Sequence, residues 1–221
     1  MSIKDNIRKY NNQLPEKVQL VAVSKTKPNS LIMEAYNAGQ RVFGENKVQD
    51  LAAKQPDLPT DIIWHFIGHL QRNKVKFISP FVNTIHAIDS LRLLKEINKQ
   101  AVINNRSINC LLQFHIAEEE TKFGLNMQEA EEILNNEDFK TLQNIKITGL
   151  MGMATFTQNN EQIRKEFRNL KNYFTQLKSN YFSDNPEFSE ISMGMSGDYK
   201  IAIEEGSTMI RIGTDIFGAR E

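Results

Sequence analysis

Eight short apolar runs alternate with longer amphipathic segments along this chain, and that alternation limits its fold more than any other feature. Several runs are rich in β-branched or aromatic residues, as is typical of strands covered on both faces. The runs are residues 18–24, 41–45, 62–68, 84–88, 108–116, 145–153, 190–195 and 209–213. Alternating strands and helices predict a parallel sheet with right-handed crossovers.

Helical periodicity and capping residues mark the segments between these runs. The predicted helices cover residues 31–38, 91–98, 127–134, 161–177 and 197–205, and residues 3–12 form an extra helix before the first strand. Ser90, Asn126 and Ser196 precede three of these helices as N-caps, while Gly39 and Gly206 follow two of them as stop signals.

Eight strand–helix units predict closure into a single (β/α)8 TIM barrel. A doubly wound open sheet uses the same local pattern and is the main alternative. No Pro- or Gly-rich linker divides the chain, so residues 1–221 are interpreted as one barrel domain.

The charge balance and the cysteine content narrow the classes of function. The chain has 27 Lys plus Arg and 27 Asp plus Glu, which gives no electrostatic reason to expect nucleic acid or a membrane surface as a partner. The single cysteine, Cys110, excludes an internal disulfide and a zinc site built from thiolates. The start of the chain is polar, no apolar stretch reaches the ~20 residues of a membrane span, and we expect a cytoplasmic location.

The end of the first strand carries a candidate nucleophile. Val21, Val23 and Lys25 share one face of the strand, so the lysine is expected to lie over an apolar barrel floor. Burial there would lower its pKa, and a neutral amine can form a Schiff base with an aldehyde. The alternative is a solvated loop lysine, which is the interpretation given to Lys27.

The ends of the last two strands form a candidate phosphate site, because barrels of this class bind phosphate there. Ser196 and Gly197 would offer backbone N–H groups at a helix start, although a plain helix cap explains them equally well. Gly213 and Thr214 could offer an N–H and a hydroxyl to the same phosphate. Arg211, within the last strand, must face the pocket or form a salt bridge at the rim.

The other strand ends give weaker signals. Asn46 could hydrogen-bond a ring substituent of a ligand. His65 and His69 are expected on one face of the third strand, but no third ligand accompanies them, so a metal site is not predicted. His86 and His115 are interpreted as structural.

Together, these segments resemble the YggS/PROSC family of pyridoxal phosphate-binding proteins. The matching stretches are residues 21–28 (VAVSKTKP), 43–46 (FGEN), 64–74 (WHFIGHLQRNK), 149–154 (GLMGMA), 193–198 (MGMSGD) and 211–220 (RIGTDIFGAR). One departure is His115, where the family pattern leads us to expect Asn, and this puts a polar contact of the fifth strand in doubt.

The resemblance implies the fold-type III barrel of the alanine racemase N-terminal domain, with Lys25 holding pyridoxal 5′-phosphate (PLP) as a Schiff base. It places Arg211 opposite the pyridine nitrogen. The residues that it assigns to the phosphate are Ser196, Gly197, Gly213 and Thr214.

The function implied is that of a non-catalytic PLP carrier that serves vitamin B6 and amino-acid homeostasis. The family also suggests a monomer, and apo forms of PLP-dependent enzymes are candidate partners. Because arginine stays protonated, it would keep the ring nitrogen unprotonated and restrain carbanion chemistry. Two alternatives are a PLP-dependent amino-acid racemase of the same fold type and an aldolase that uses the lysine without a cofactor.

Overall fold

The strands close into a parallel barrel in chain order, with β1 paired to β8. The computed structural model describes residues 2–118 and 123–218, so Ala219 and Arg220 of the last matching stretch lie outside the described residues. The strands are β1 Gln19–Val23, β2 Val42–Glu45, β3 Ile63–Phe66, β4 Thr84–Ile88, β5 Ile108–Phe114, β6 Ile145–Gly152, β7 Glu190–Ser192 and β8 Met209–Ile212. The (β/α)8 prediction is confirmed, and the pairing of the first and last strands rules out an open sheet.

Helices follow the strands, and one additional helix precedes them. They are α1 Ile3–Gln13, α2 Asn29–Asn37, α3 Val48–Lys54, α4 Val75–Ile78, α5 Leu91–Ile103, α6 Met127–Asn135, α7 Glu137–Lys140, α8 Asn160–Tyr181, α9 Tyr199–Glu204 and α10 Thr214–Phe217. The expected N-terminal helix is present as α1. In the described part of the chain, no helix combines the length and the apolar character needed to cross a membrane.

The two faces of the strands pack in different places. Phe43, Trp64 and Phe66 belong to the large apolar core that the strands share with the helices. Val21, Val42 and Met209 alternate with such residues on neighbouring strands and form a separate cluster inside the barrel. The inside of the barrel is therefore filled by side chains.

The predicted strand and helix boundaries differ from the structure by up to five residues, as at α5, which ends at Ile103 instead of residue 98. β3 ends at Phe66 and β7 at Ser192, two and three residues earlier than the apolar runs indicated. The short helices α3, α4, α7 and α10 were not predicted, because four to seven residues carry too little periodicity to be recognised.

Candidate functional site

A cavity of about 490 Å³ opens at the carboxyl ends of the strands. Segments that follow seven of the eight strands contribute to its wall. All seven residues predicted for the site line it, namely Lys25, Asn46, Ser196, Gly197, Arg211, Gly213 and Thr214. Residues scattered from the first strand to the last are thus brought to one space.

Lys25 lies in a turn two residues beyond β1, where it is half-buried. The turn is held from behind by a buried ion pair, because Glu45 Oε1 accepts from Ser24 Oγ at 2.6 Å and from Lys54 Nζ at 2.7 Å. Thr26 adopts a φ of 65°, which bends the chain away from the strand direction. Val23 lines the cavity as well, so Val23 and Lys25 reach the same space, although Lys25 lies in the turn and not on the strand as predicted.

Asn46 presents an unsatisfied acceptor at the cavity. Its Oδ1 is buried and has no hydrogen-bond partner among the described residues. Its backbone is fixed by close packing, since a Cβ built on Gly68 would lie 2.2 Å from Asn46 O. A buried acceptor without a partner is costly, which suits a ligand that donates a hydrogen bond there.

The turn after β7 differs from its prediction in one respect. Helix α9 begins at Tyr199 with Asp198 as its N-cap, so the assignment of Ser196 as the cap was wrong. The physical reason is that Asp198 Oδ1 accepts the N–H of Met195 at 2.6 Å and closes a turn ahead of the helix. Within the described chain, the N–H groups of Ser196 and Gly197 donate to no protein acceptor, and a Cβ on Gly197 would meet nothing within 4 Å.

The turn after β8 is supported by the N-terminal helix. Gly213 and Thr214 start α10, and the next residue, Asp215, accepts from Tyr10 Oη at 2.6 Å. The ring of Tyr10 also packs edge-on against Tyr199 of α9, with centroids 5.4 Å apart. Helix α1 therefore contacts both segments that carry the predicted phosphate residues.

Arg211 is 5% exposed and is held by uncharged groups. Its Nη1 donates to Ser192 Oγ at 2.5 Å, and its Nη2 donates to Gly152 O at 3.1 Å. Burial lowers the pKa of Arg211 to about 10, with the charge of Asp198 acting in the opposite direction, so the side chain stays protonated at neutral pH. Of the two alternatives, the pocket-facing arginine is the one observed rather than the rim salt bridge.

The histidines of β3 and β4 were not predicted to interact. His65 Nδ1 lies 2.9 Å from His86 Nε2, and His86 Nδ1 lies 3.0 Å from Ser192 Oγ. Burial lowers the pKa of His65 to about 3 and that of His86 well below its usual value. Both rings are therefore neutral and join the hydrogen-bond network of Arg211.

The predicted pairing of His65 with His69 on one strand face was wrong, because β3 ends before His69. His69 instead lies at the cavity wall, with Nδ1 3.4 Å from Asp89 Oδ2 and its ring stacked on Phe123. His115 does not line the cavity, and its backbone N–H donates to Leu125 O. Residues 2–118 and 123–218 contain no group of three or more His, Cys, Asp or Glu arranged to hold a metal.

Apolar side chains on the loops after β5 and β6 form the rest of the wall, and sequence reasoning missed them. Phe123, Met153 and Phe156 line the cavity, with Phe156 almost fully exposed. Buried Glu166 connects the two loops, since its carboxylate accepts the N–H of Thr155 at 2.6 Å and that of Glu118 at 3.1 Å. No sequence pattern indicates this clamp, because its parts come from separate segments.

The family model described as "Alanine racemase, N-terminal domain" matches residues 1–221. The pyridoxal phosphate homeostasis protein of Aquifex aeolicus (strain VF5) is 41% identical over 204 residues, which cover 92% of this chain and 87% of that protein. The pyridoxal phosphate homeostasis protein of Escherichia coli (strain K12) is 39% identical over 213 residues, which cover 94% of this chain and 88% of that protein.

A solved structure extends the likeness to three dimensions. PipY of Synechococcus elongatus PCC7942, solved with PLP bound, superposes with a TM-score of 0.87 at 35% identity and covers 98% of this chain and 100% of its own. The chain therefore belongs to the alanine racemase N-terminal domain family and, within it, to the YggS/PROSC group of pyridoxal phosphate homeostasis proteins.

Proposed function

We propose that this chain binds PLP in the barrel-end cavity, with Lys25 as the covalent anchor, and serves vitamin B6 homeostasis. The observation that carries the proposal is the convergence of a lysine amine, two turns suited to an anion and a buried arginine on one cavity. The PLP bound to PipY, a structure 35% identical to this chain, supports it.

The residues present are suited to this cofactor at each of its polar groups. When bound, PLP supplies an aldehyde that condenses with a lysine amine. The phosphate would be held by the free N–H groups of Ser196 and Gly197 and by Gly213 and Thr214 across the mouth. The unpartnered Oδ1 of Asn46 would accept from a ring substituent that donates.

Arg211 makes a non-catalytic role the favoured one. Its protonated guanidinium donates only, so it would hold the ring nitrogen in the unprotonated state. A pyridine without that proton is a weak electron sink, which restrains chemistry at the α-carbon of an amino acid. We therefore infer a carrier and regulator of the cofactor rather than a racemase, working in the cytoplasm as one domain over residues 1–221.

The test compares two lysines that line the same cavity. The purified protein should be yellow, and borohydride should fix the cofactor on the peptide that contains Lys25. Lys25→Ala should remove the absorbance band and the adduct, while Lys27→Ala, the matched control, should keep both. An adduct on Lys27, or no adduct, would contradict the proposed anchor.

Activity and partners are tested separately. Single-enantiomer amino acids incubated with the loaded protein should stay unracemised; turnover that Lys25→Ala abolishes would establish a racemase instead.

We propose that apo forms of PLP-dependent enzymes receive the cofactor from a monomer. Reactivation of such an apo-enzyme by the loaded protein measures the transfer of the cofactor. Light scattering measures whether the protein is a monomer.

A further inference from the structure

Four polar side chains form a continuous hydrogen-bonded chain across the inside of the barrel. It runs from Arg211 on β8 to Ser192 on β7, then to His86 on β4 and His65 on β3. The donor–acceptor distances along it are 2.5, 3.0 and 2.9 Å. None of the four residues is more than 5% exposed, and Arg211 is the member that reaches the cavity.

Both orders of the protons satisfy the three contacts, but they leave different groups without a partner among the described residues. With His65 and His86 protonated at Nε2, only His65 Nε2–H lacks an acceptor, whereas the reverse order leaves both the hydroxyl proton of Ser192 and the Nε2 lone pair of His65 unpaired. Arginine can only donate, so Ser192 Oγ accepts from Arg211. If the hydroxyl proton of Ser192 points to His86 Nδ1, then His86 donates through Nε2 to His65 Nδ1. In the reverse order the hydroxyl proton would need another acceptor, and the described residues place none at hydrogen-bond distance from Ser192 Oγ.

We propose that Ser192, His86 and His65 are positioning residues that fix the guanidinium of Arg211 and aim one of its N–H groups at the ring nitrogen of the ligand. The arginine has five N–H groups, and two of them are used by Ser192 and Gly152. The other three have no acceptor among the described residues, and Arg211 lines the cavity. This inference rests on the proposed function, since the ring nitrogen belongs to PLP.

Neutral histidines suit this role. Burial lowers the pKa of both rings, and the charge of Arg211 adds to the effect at His86. Among these four hydrogen-bonded side chains, the single positive charge is therefore on Arg211, beside the cavity. Neither histidine competes for a proton at neutral pH, so the direction of the hydrogen bonds stays fixed.

The first test uses the protein without cofactor. Nitrogen-15 NMR of histidine-labelled protein should show His65 and His86 as neutral rings protonated at Nε2. A ring of either residue protonated at Nδ1, or charged at pH 7, would overturn the proton order. This measurement does not depend on PLP binding, so it separates failure of the inference from failure of the proposed function.

The second test asks whether the hydrogen-bonded side chains affect the contact of Arg211 with the ring nitrogen of PLP. Ser192→Ala should weaken PLP binding about tenfold, as expected for loss of a hydrogen bond to a charged group, and should shift the absorbance maximum of the bound cofactor. Ser192→Thr, which keeps the hydroxyl, should restore both. A PLP analogue with C–H in place of the ring nitrogen should bind Ser192→Ala and wild type alike.

The matched control is Ser207→Ala, which removes another buried serine between β7 and β8 that bonds only to backbone groups. This control should leave unchanged the absorbance maximum of bound PLP and the ratio of the affinity for PLP to that for the analogue. Equal weakening of PLP and its analogue by Ser192→Ala, or the same spectral shift in Ser207→Ala, would show that Ser192 has a structural role alone.

Discussion

We expect Asn46 to favour ligand binding at the expense of stability. Its buried Oδ1 has no partner among the described residues, and an unsatisfied buried acceptor costs about 1–3 kcal/mol. That cost falls on the cofactor-free protein and is relieved when a ligand donates a hydrogen bond. Sequence reasoning named Asn46 as a contact but could not show that its acceptor is empty.

A substitution at Asn46 should therefore move stability and binding in opposite directions. In Asn46→Ala, the cofactor-free protein should be as stable as wild type or more stable, while PLP affinity should fall about tenfold. Thermal unfolding with and without PLP measures both effects. Loss of stability in the cofactor-free variant would mean that Oδ1 has a structural partner.

At the scale of elements, α1 is more than an addition to the barrel. Asn6 Nδ2 donates to Ile216 O at 3.2 Å, and Tyr10 joins Asp215 of α10 and the ring of Tyr199 in α9. These two helices follow the turns assigned to the phosphate. The sequence predicted α1 as a helix, but nothing local indicated that it supports the site.

Tyr10→Phe should weaken binding of phosphate-bearing ligands selectively. Loss of the hydrogen bond to Asp215 loosens the start of α10, and a net hydrogen bond is worth about 1 kcal/mol, or roughly fivefold in affinity. PLP should bind correspondingly less well, while pyridoxal, which lacks the phosphate, should be unaffected. Titrations with the two ligands, followed by absorbance, give the comparison.

Tyr36→Phe provides the control, because Tyr36 Oη makes a similar bond to Asp61 at 2.7 Å and neither residue lines the cavity. It should change neither affinity. If Tyr10→Phe weakened PLP and pyridoxal equally, α1 would be a general stabilising element instead of a support for the phosphate turns.

At the scale of the whole molecule, the buried histidines couple the stability of the barrel to pH. The folded-state pKa of His65 is about 3, and that of His86 is also far below its value of about 6.5 in an unfolded chain. The unfolded state therefore binds more protons below pH ~6.5, and stability falls as the pH drops from there towards the folded-state pKa values.

The unfolding free energy should fall by about 2 kcal/mol per buried histidine between pH 7 and pH 5. Urea unfolding at both pH values measures this loss. His65→Asn should be less stable at pH 7 but should show a loss smaller by about 2 kcal/mol. His69→Gln, at an exposed histidine, should retain the full loss, and a flat wild-type profile would contradict the buried neutral rings.

The amino-acid sequence determined the local parts of this protein. Short apolar runs rich in β-branched and aromatic residues predicted the strands, and strand–helix alternation predicted the parallel order, because both depend on neighbours in the chain. The polar turns at Lys25, Ser196 and Gly213 were predicted for the same reason, since each lies within four residues of the end of a strand. A barrel then gathers such turns at one end whatever their spacing in sequence.

The tertiary structure alone decided which side chains meet inside the barrel and behind the site. Ser192 and His86 are 106 residues apart, and Tyr10 and Asp215 are 205 residues apart, so no local pattern could pair them. The cap of α9 is a different case, because it depends on a local contact: Asp198 rather than Ser196 is the cap, and its carboxylate accepts the N–H of Met195, three residues earlier. The contacts of Ser192 with His86 and of Tyr10 with Asp215 depend on barrel closure, which brings β8 beside β1 and places elements from distant parts of the chain side by side.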